Sequence, residues 1–218
     1  MATNHILHIE GIVVAALERN IGGVDKERIQ FYHRNVTASL IFNNCTLLLD
    51  AEAQRPGEDE VACATRLFER VIVDYPRAFD VVAADALYAR SNFFNLIIKH
   101  CKDIITVLKD NRRDLIQDAN SFFEAKEPEH IFMRGDTKIQ AWDIDQFLSW
   151  PGVIKSVRVI KTKEIKKPIR RQINGNLEEQ PISSWTWVTT LSPVRAHTQA
   201  SIEMAIHVGQ LKIKDLMN

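Results

Sequence analysis

Between Val36 and Phe123 the apolar spacing alternates between two residues and about 3.6, and this limits the fold more than anything else in the chain. Val36 to Phe42 is rich in β-formers, Asn43-Asn44 signals a turn, and Thr46 to Leu49 is a second apolar run. A hairpin is predicted there, with Asp50 ending its second strand. Val61, Ala64, Leu67, Phe68, Val71 and Ile72 then fall on one face of a helix from Asp59 to Val73. Glu58, Asp59 and Glu60 suit its positive N-terminal end, and Pro76 bars its continuation. Phe79 to Ala84 is a short apolar run ending in Asp85, the pattern of a buried central strand. Ser91 is the expected cap of a second helix that runs through Phe93, Phe94, Leu96, Ile97 and Ile98 to Cys101. Asp103 to Leu108 is a further strand, and Arg112 to Phe123 a third helix. Strands and helices alternating across short loops predict an α/β sheet with helices on both faces.

The pattern is weaker on either side. Residues 1–30 carry only a turn at Gly22-Gly23 and an exposed loop at Asp25-Lys26-Glu27. Beyond residue 125 the chain becomes β-rich. Glu127 to His130 reads as loop, while Thr137 to Asp145, Val153 to Lys161 and Trp185 to Leu191 read as strands. Trp150-Pro151-Gly152 and Asn174-Gly175-Asn176 supply turns, and Thr198 to Leu211 a last helix. No internal repeat is present.

Composition excludes several classes. A chain of 218 residues with 45% hydrophobic and 26% charged side chains is globular rather than disordered or fibrous. Lys plus Arg and Asp plus Glu are 28 each, so any affinity for a polyanion must be local. Cys45, Cys63 and Cys101 are far apart and form no CxxC pattern. Neither a zinc site nor a disulfide framework is implied, and their apolar neighbours predict buried thiols in a reducing compartment. No apolar run approaches the roughly 20 residues of a membrane span. Met1 to Leu17 lacks the basic lead of a signal peptide, so a soluble, cytoplasmic protein is expected.

Several residues have the chemistry for a site. Asp85 ends a strand, where ligands of open α/β sheets gather, and a carboxylate there can hold a divalent cation; the competing reading is a turn aspartate. Asp50 and Glu52 are a second such pair, with the same alternative of strand-end turn residues. Glu58-Asp59-Glu60 is read more simply as a solvated helix start. Lys155, Arg158, Lys161, Lys163, Lys166, Lys167, Arg170 and Arg171 stand against one acid, Glu164. On a strand and its loop they predict either a cationic patch for phosphates or a solvated hairpin. Lys109, Arg112 and Arg113 form a smaller basic group. Trp185 and Trp187 share a strand face and are expected in the core rather than as a stacking platform for bases. The seven histidines make no HxxxH or HExxH pattern, and no GxGxxG, P-loop or GxSxG motif occurs.

Six segments, in order, carry a family resemblance. They are Phe31-Tyr32-His33-Arg34, Leu47-Leu48-Leu49-Asp50-Ala51-Glu52 and Pro56-Gly57-Glu58-Asp59-Glu60-Val61, followed by Phe79 to Ala89, Val107 to Leu115 and Trp185 to Leu191. Together they resemble the catalytic domain of bacterial insertion-sequence DDE transposases, from about residue 17 onward. The resemblance implies an RNase H-like mixed sheet flanked by helices, with a β-rich insertion before the last helix. It divides the chain into a core over 1–125 lacking its first strand, an insertion over 126–192 and a shortened core helix over 193–218.

In that family two aspartates and a glutamate hold two Mg²⁺ or Mn²⁺ ions for phosphodiester cleavage and strand transfer at transposon ends in DNA. Asp85 matches the second aspartate, as catalytic residue and metal ligand. The first would fall at or before Met1. The family's glutamate belongs to a pattern of Tyr, two residues, Arg, three residues, Glu, six residues, Lys. Here His207 stands at the tyrosine, Gln210 at the arginine and Lys214 at the glutamate, with the final lysine beyond Asn218. Glu203 is about three turns too early, and Asp215 is one residue off the face. A lysine at the ligand position repels the ion, and one carboxylate holds Mg²⁺ poorly. The expectation is therefore a catalytically inactive, truncated transposase-like fragment with no metal bound. The alternative is a non-catalytic module that binds DNA, forms a homodimer or pairs with an intact transposase.

Overall fold

The computed structural model describes residues 17–21, 28–42, 45–109, 113–124, 126–166, 169–170, 177–178 and 182–215. The predicted turns at Gly22-Gly23, Asn43-Asn44 and Asn174-Gly175-Asn176, and the loop at Asp25-Lys26-Glu27, lie outside them. The chain forms two compact units, Met1–Pro76 and Arg77–Asn218.

In the first unit β1 (Leu17–Asn20) pairs antiparallel with β2 (Ile29–Tyr32). β3 (Asn35–Phe42) and β4 (Cys45–Ala53) form the predicted hairpin, with a bulge between Ala38 and Ser39. β4 runs on past Asp50 to Ala53, so Asp50 does not end a strand. Helix α1 (Glu60–Asp74) closes the unit and contacts β3 and β4. Asp59 caps it, its Oδ1 accepting from Ala62 N at 2.8 Å. Tyr75 ends it just before Pro76, as proline's fixed ring demands. Val61, Ala64, Leu67, Val71 and Ile72 are buried as the periodicity predicts, with Cys63 among them.

The second unit runs β5 (Val81–Ala84), a 3₁₀ turn over Ala86–Tyr88, α2 (Ser91–Lys99), β6 (Asp103–Leu108) and α3 (Arg113–Glu124). β7 (His130–Arg134), β8 (Thr137–Phe147), β9 (Val157–Lys166), β10 (Ile169–Arg170), β11 (Leu177–Glu178), β12 (Ser183–Thr189) and α4 (Thr198–Asp215) follow. Six strands make one sheet in the order β5-β6-β12-β9-β8-β7, and β10 pairs with β11 apart from it. β5 and β6 are parallel because α2 crosses between them; the other neighbours are antiparallel. The β7–β8 turn uses Gly135 at a φ of 58°, a conformation that favours glycine. The β-rich section thus extends the sheet that contains β5 and β6.

Several boundaries differ from expectation; β12, for one, spans Ser183–Thr189 and not Trp185 to Leu191. β7 occupies a stretch with no predicted strand, and His130 opens it instead of belonging to a loop. Its Ile131 and Met133 are each 55% exposed while Phe132 between them packs on the core, so the run is apolar on both faces and the sequence shows no apolar–polar alternation. β9 starts at Val157 and reaches Lys166. Ser91 is the first helical residue of α2; Arg90 takes the cap position without a side-chain bond.

The sheet register sorts side chains onto two faces. Ile105, Trp187, Ile160 and Ala141 share one face and pack against Ile202 and Ala205 of α4. Val159 and Lys161 lie on the other, and Lys161 Nζ donates to Asn120 Oδ1 of α3 at 2.9 Å. Phe122 of α3 meets Phe147 edge-on at 5.8 Å. Helices therefore cover both faces. α2 contacts β6 and buries Phe93, Phe94 and Ile97 completely; each contributes about 1.5–3 kcal/mol by leaving water. Among the described residues no helix is long and apolar enough to cross a membrane.

Candidate metal and nucleic-acid site

Asp85 follows the carboxyl end of β5, but β5 is the edge strand of the six-stranded sheet, with Val82 alone of its residues buried, and not the buried central strand expected. It is half-buried, and its Oδ1 accepts from Leu87 N at 3.0 Å, capping the 3₁₀ turn. That turn is fixed from below by Ala86, Tyr88 and Ala89, all buried, with Tyr88 against Phe93 at 5.3 Å. α4 contacts both β5 and β6. Since β5 and β6 are parallel, Lys109 emerges at the same end of the sheet as Asp85, exposed.

His207, Gln210 and Lys214 lie within α4, spaced three and four residues apart along one helical stripe. Their side chains lie outside the described residues. Among the described residues no three His, Cys, Asp or Glu side chains come together as a metal group. The Leu87 amide engages one oxygen of Asp85, and a two-ion centre needs carboxylate oxygens from further residues.

The second acidic pair has a different role. Asp50 and Glu52 lie in the body of β4, opposite Ala38 and Val36. Arg70 of α1 binds both, Nε to Asp50 at 2.6 Å and Nη1 to Glu52 at 2.7 Å. Arg66 binds Glu52 at 3.0 Å and also pairs with Glu58. These guanidiniums hold the Asp50 and Glu52 carboxyls below their usual range and push Arg70 up. The carboxylates tie hairpin to helix; neither is a turn residue and neither faces a cation site. In Glu58-Asp59-Glu60 only Asp59 caps the helix, while Glu58 accepts from Arg55 N at 3.0 Å.

The basic stretch is not one surface. Strand alternation puts Arg158 and Lys166 on the α4 side of β9 and Lys161 and Lys163 on the other. Arg158 is 1% exposed and carries the largest fully buried side chain. It grips Asp143 with two nitrogens, Nε–Oδ1 at 2.8 Å, and donates through Nη1 to Ala196 O at 2.7 Å. Arg158 is therefore not a nucleic-acid contact, because no phosphate can reach it. Lys161 is committed to Asn120 and sits 6.0 Å from the Phe123 ring centre. Lys155 donates to Thr190 O at 3.2 Å at the far end of the sheet from Asp85. Lys163 is half-buried and Lys166 exposed. Arg113 opens α3 and Arg170 lies in β10, but their side chains, like Arg112, Lys167 and Arg171, lie outside the described residues.

The tryptophans divide. Trp187 is 5% exposed and in the core; Trp185 stacks on it at 6.1 Å but is 40% exposed. Of the thiols only Cys63 is buried, and burial pushes its pKa up. Cys45 and Cys101 are exposed, contrary to their apolar neighbours: Cys45 opens β4 and Cys101 follows the end of α2.

Sequence reasoning missed two ionic centres, Asp143–Arg158 and the group around Asp103. For the first a signal existed: a lone arginine inside Val157-Arg158-Val159-Ile160 is a charge in an apolar strand, which survives only with a buried partner. For the second none existed, since its members come from four separate segments.

Compared with known proteins, the chain matches no protein-family model and no curated protein. The fold defines a class only: a mixed α/β protein whose six-stranded sheet is covered by helices on both faces.

Proposed function

We propose that the chain is a transposase-like protein of the DDE type, RNase H-like in its core, that binds DNA without cleaving it. The observation that carries this reading is Asp85 at the carboxyl end of β5, within a parallel β5–α2–β6 unit on which α4 packs. The element order supports it: hairpin, helix, strand, helix, strand, helix, then β-rich strands and a last helix. Lys109 at the same end of the sheet, with Lys166 where β9 ends, supplies cations for a phosphate backbone. Lys214 at the place of the family's glutamate argues against strand transfer, because an ammonium repels Mg²⁺ or Mn²⁺.

Two assays test the two halves of the reading. Thermal melts with and without millimolar Mn²⁺ are expected to coincide. A stabilisation that disappears in Asp85→Ala, together with metal-dependent nicking, overturns the non-catalytic half. Binding to duplex DNA is expected to weaken steeply with salt, with a shallower slope in Lys166→Glu and Arg170→Glu. Absent or salt-insensitive binding overturns the DNA-binding half.

A further inference from the structure

At the other end of the sheet a buried carboxylate holds two half-exposed cations. Asp103 opens β6 opposite Val81, the first residue of β5. Asp85 is four residues further along that strand direction, about 13 Å away. The Asp103 side chain is only 4% exposed, so its charge needs partners. Thr190 Oγ1 donates to Oδ1 at 2.8 Å, and Arg195 Nη1 pairs with Oδ2. Thr190 is itself fixed, accepting at Oγ1 from Ile104 N at 3.0 Å.

One hydroxyl and one guanidinium already satisfy the two oxygens. Lys155 is a second cation, 3.7 Å from Oδ1, too far for a hydrogen bond. Its amine bonds Thr190 O at 3.2 Å. An ammonium has three donors and a guanidinium five. Lys155 and Arg195 each commit one hydrogen bond, and their side chains are 50% and 52% exposed. The neighbouring Asp80 meets Asp103 through its backbone carbonyl at 2.9 Å, and its carboxylate pairs with neither cation. Asp103, Lys155 and Arg195 together carry one net positive charge, with uncommitted N–H donors on two half-exposed side chains held by a buried anchor.

We propose that Lys155 and Arg195, set on Asp103, form a binding notch for a phosphoryl group. Both cations lie within ion-pair reach of the one Asp103 carboxylate, and a planar fork together with a point cation suits the two or three oxygens of a phosphoryl group. The site is separate from Asp85 and does not rest on the DNA-binding reading.

The test uses the ¹⁵N-labelled full chain titrated with inorganic phosphate against chloride at matched ionic strength. Saturable amide shifts at Ile104, Lys155 and Arg195 are expected with phosphate only. Lys155→Gln leaves Asp103 its hydroxyl and guanidinium, so the fold is kept, and it is expected to weaken phosphate at least roughly tenfold. Lys126→Gln, an exposed lysine paired with Glu129, is expected to leave binding unchanged. A parallel titration with a nucleoside monophosphate identifies the source: tighter binding with the same Lys155→Gln loss indicates a phosphate ester, equal binding the free ion. Non-saturable shifts, or equal binding in wild type and Lys155→Gln, overturn the proposal.

Discussion

The buried Arg158–Asp143 pair gives the sharpest quantitative expectation. Arg158→Met keeps most of the stem's volume and removes the guanidinium. Asp143, whose side chain is 9% exposed, is then left with the Thr198 hydroxyl at 2.6 Å as its remaining hydrogen bond. The carbonyl of Ala196 loses its guanidinium donor and keeps the Ser201 hydroxyl at 3.4 Å. An uncompensated buried charge costs about 3–5 kcal/mol, against about 0–1 kcal/mol for an exposed pair. With total stability about 5–15 kcal/mol, this variant loses roughly a fifth or more. The four tryptophans, at 142, 150, 185 and 187, all lie in the second unit, so urea unfolding followed by their fluorescence reports on that unit. The midpoint is expected to fall with an unchanged slope. Adding Asp143→Leu is expected to restore much of the loss, because the orphaned charge is then gone. A loss below about 1 kcal/mol, with weakened DNA binding, would refute the reasoning and return Arg158 to the surface.

Three further expectations follow from the same reading. Asp50 and Glu52 are held below their usual pKa by Arg70 and Arg66, so the unfolded chain binds more protons and stability rises with pH through the carboxylate range. That stability is present above about pH 4 and is lost as pH falls further; Arg70→Gln is expected to flatten the dependence, and identical acid melts of the two proteins would contradict it. Phe93→Ala, at a fully buried site against Tyr88, is expected to cost about 3–5 kcal/mol, whereas Phe122→Ala, 53% exposed, is expected to cost far less, as comparative unfolding checks. A thiol reagent is expected to label Cys45 and Cys101 in the native protein and Cys63 only after unfolding, read by mass; fast native labelling at Cys63 would show that its helix face opens.

Much of the architecture was legible because local signals agreed. Helix α1 declares itself through Asp59 at its cap, apolar residues at helical spacing and Pro76 beyond its end. β5 and β6 declare themselves as short apolar runs between helices. β7 was not legible, since His130 to Arg134 presents Ile131 and Met133 to solvent and pairs only with β8. The parallel or antiparallel sense of the strands, and the joining of the β-rich section to β5 and β6, are pairing choices that no single segment encodes.

The charged residues separate the two levels most clearly. The order of residues alone shows that Asp85 follows an apolar strand, that Asp59 starts a helix, and that basic residues crowd 155–171, because these depend only on neighbours along the chain; that this strand lies at the sheet edge and not at its centre is a pairing choice. Tertiary structure alone decided what those charges do. It buried Arg158 against Asp143, tied Asp50 and Glu52 to Arg70, and set Lys155 and Arg195 on Asp103. The physical reason is that the worth of a charge depends on desolvation and on partners a few ångströms away, and those partners come from segments tens of residues distant in the chain.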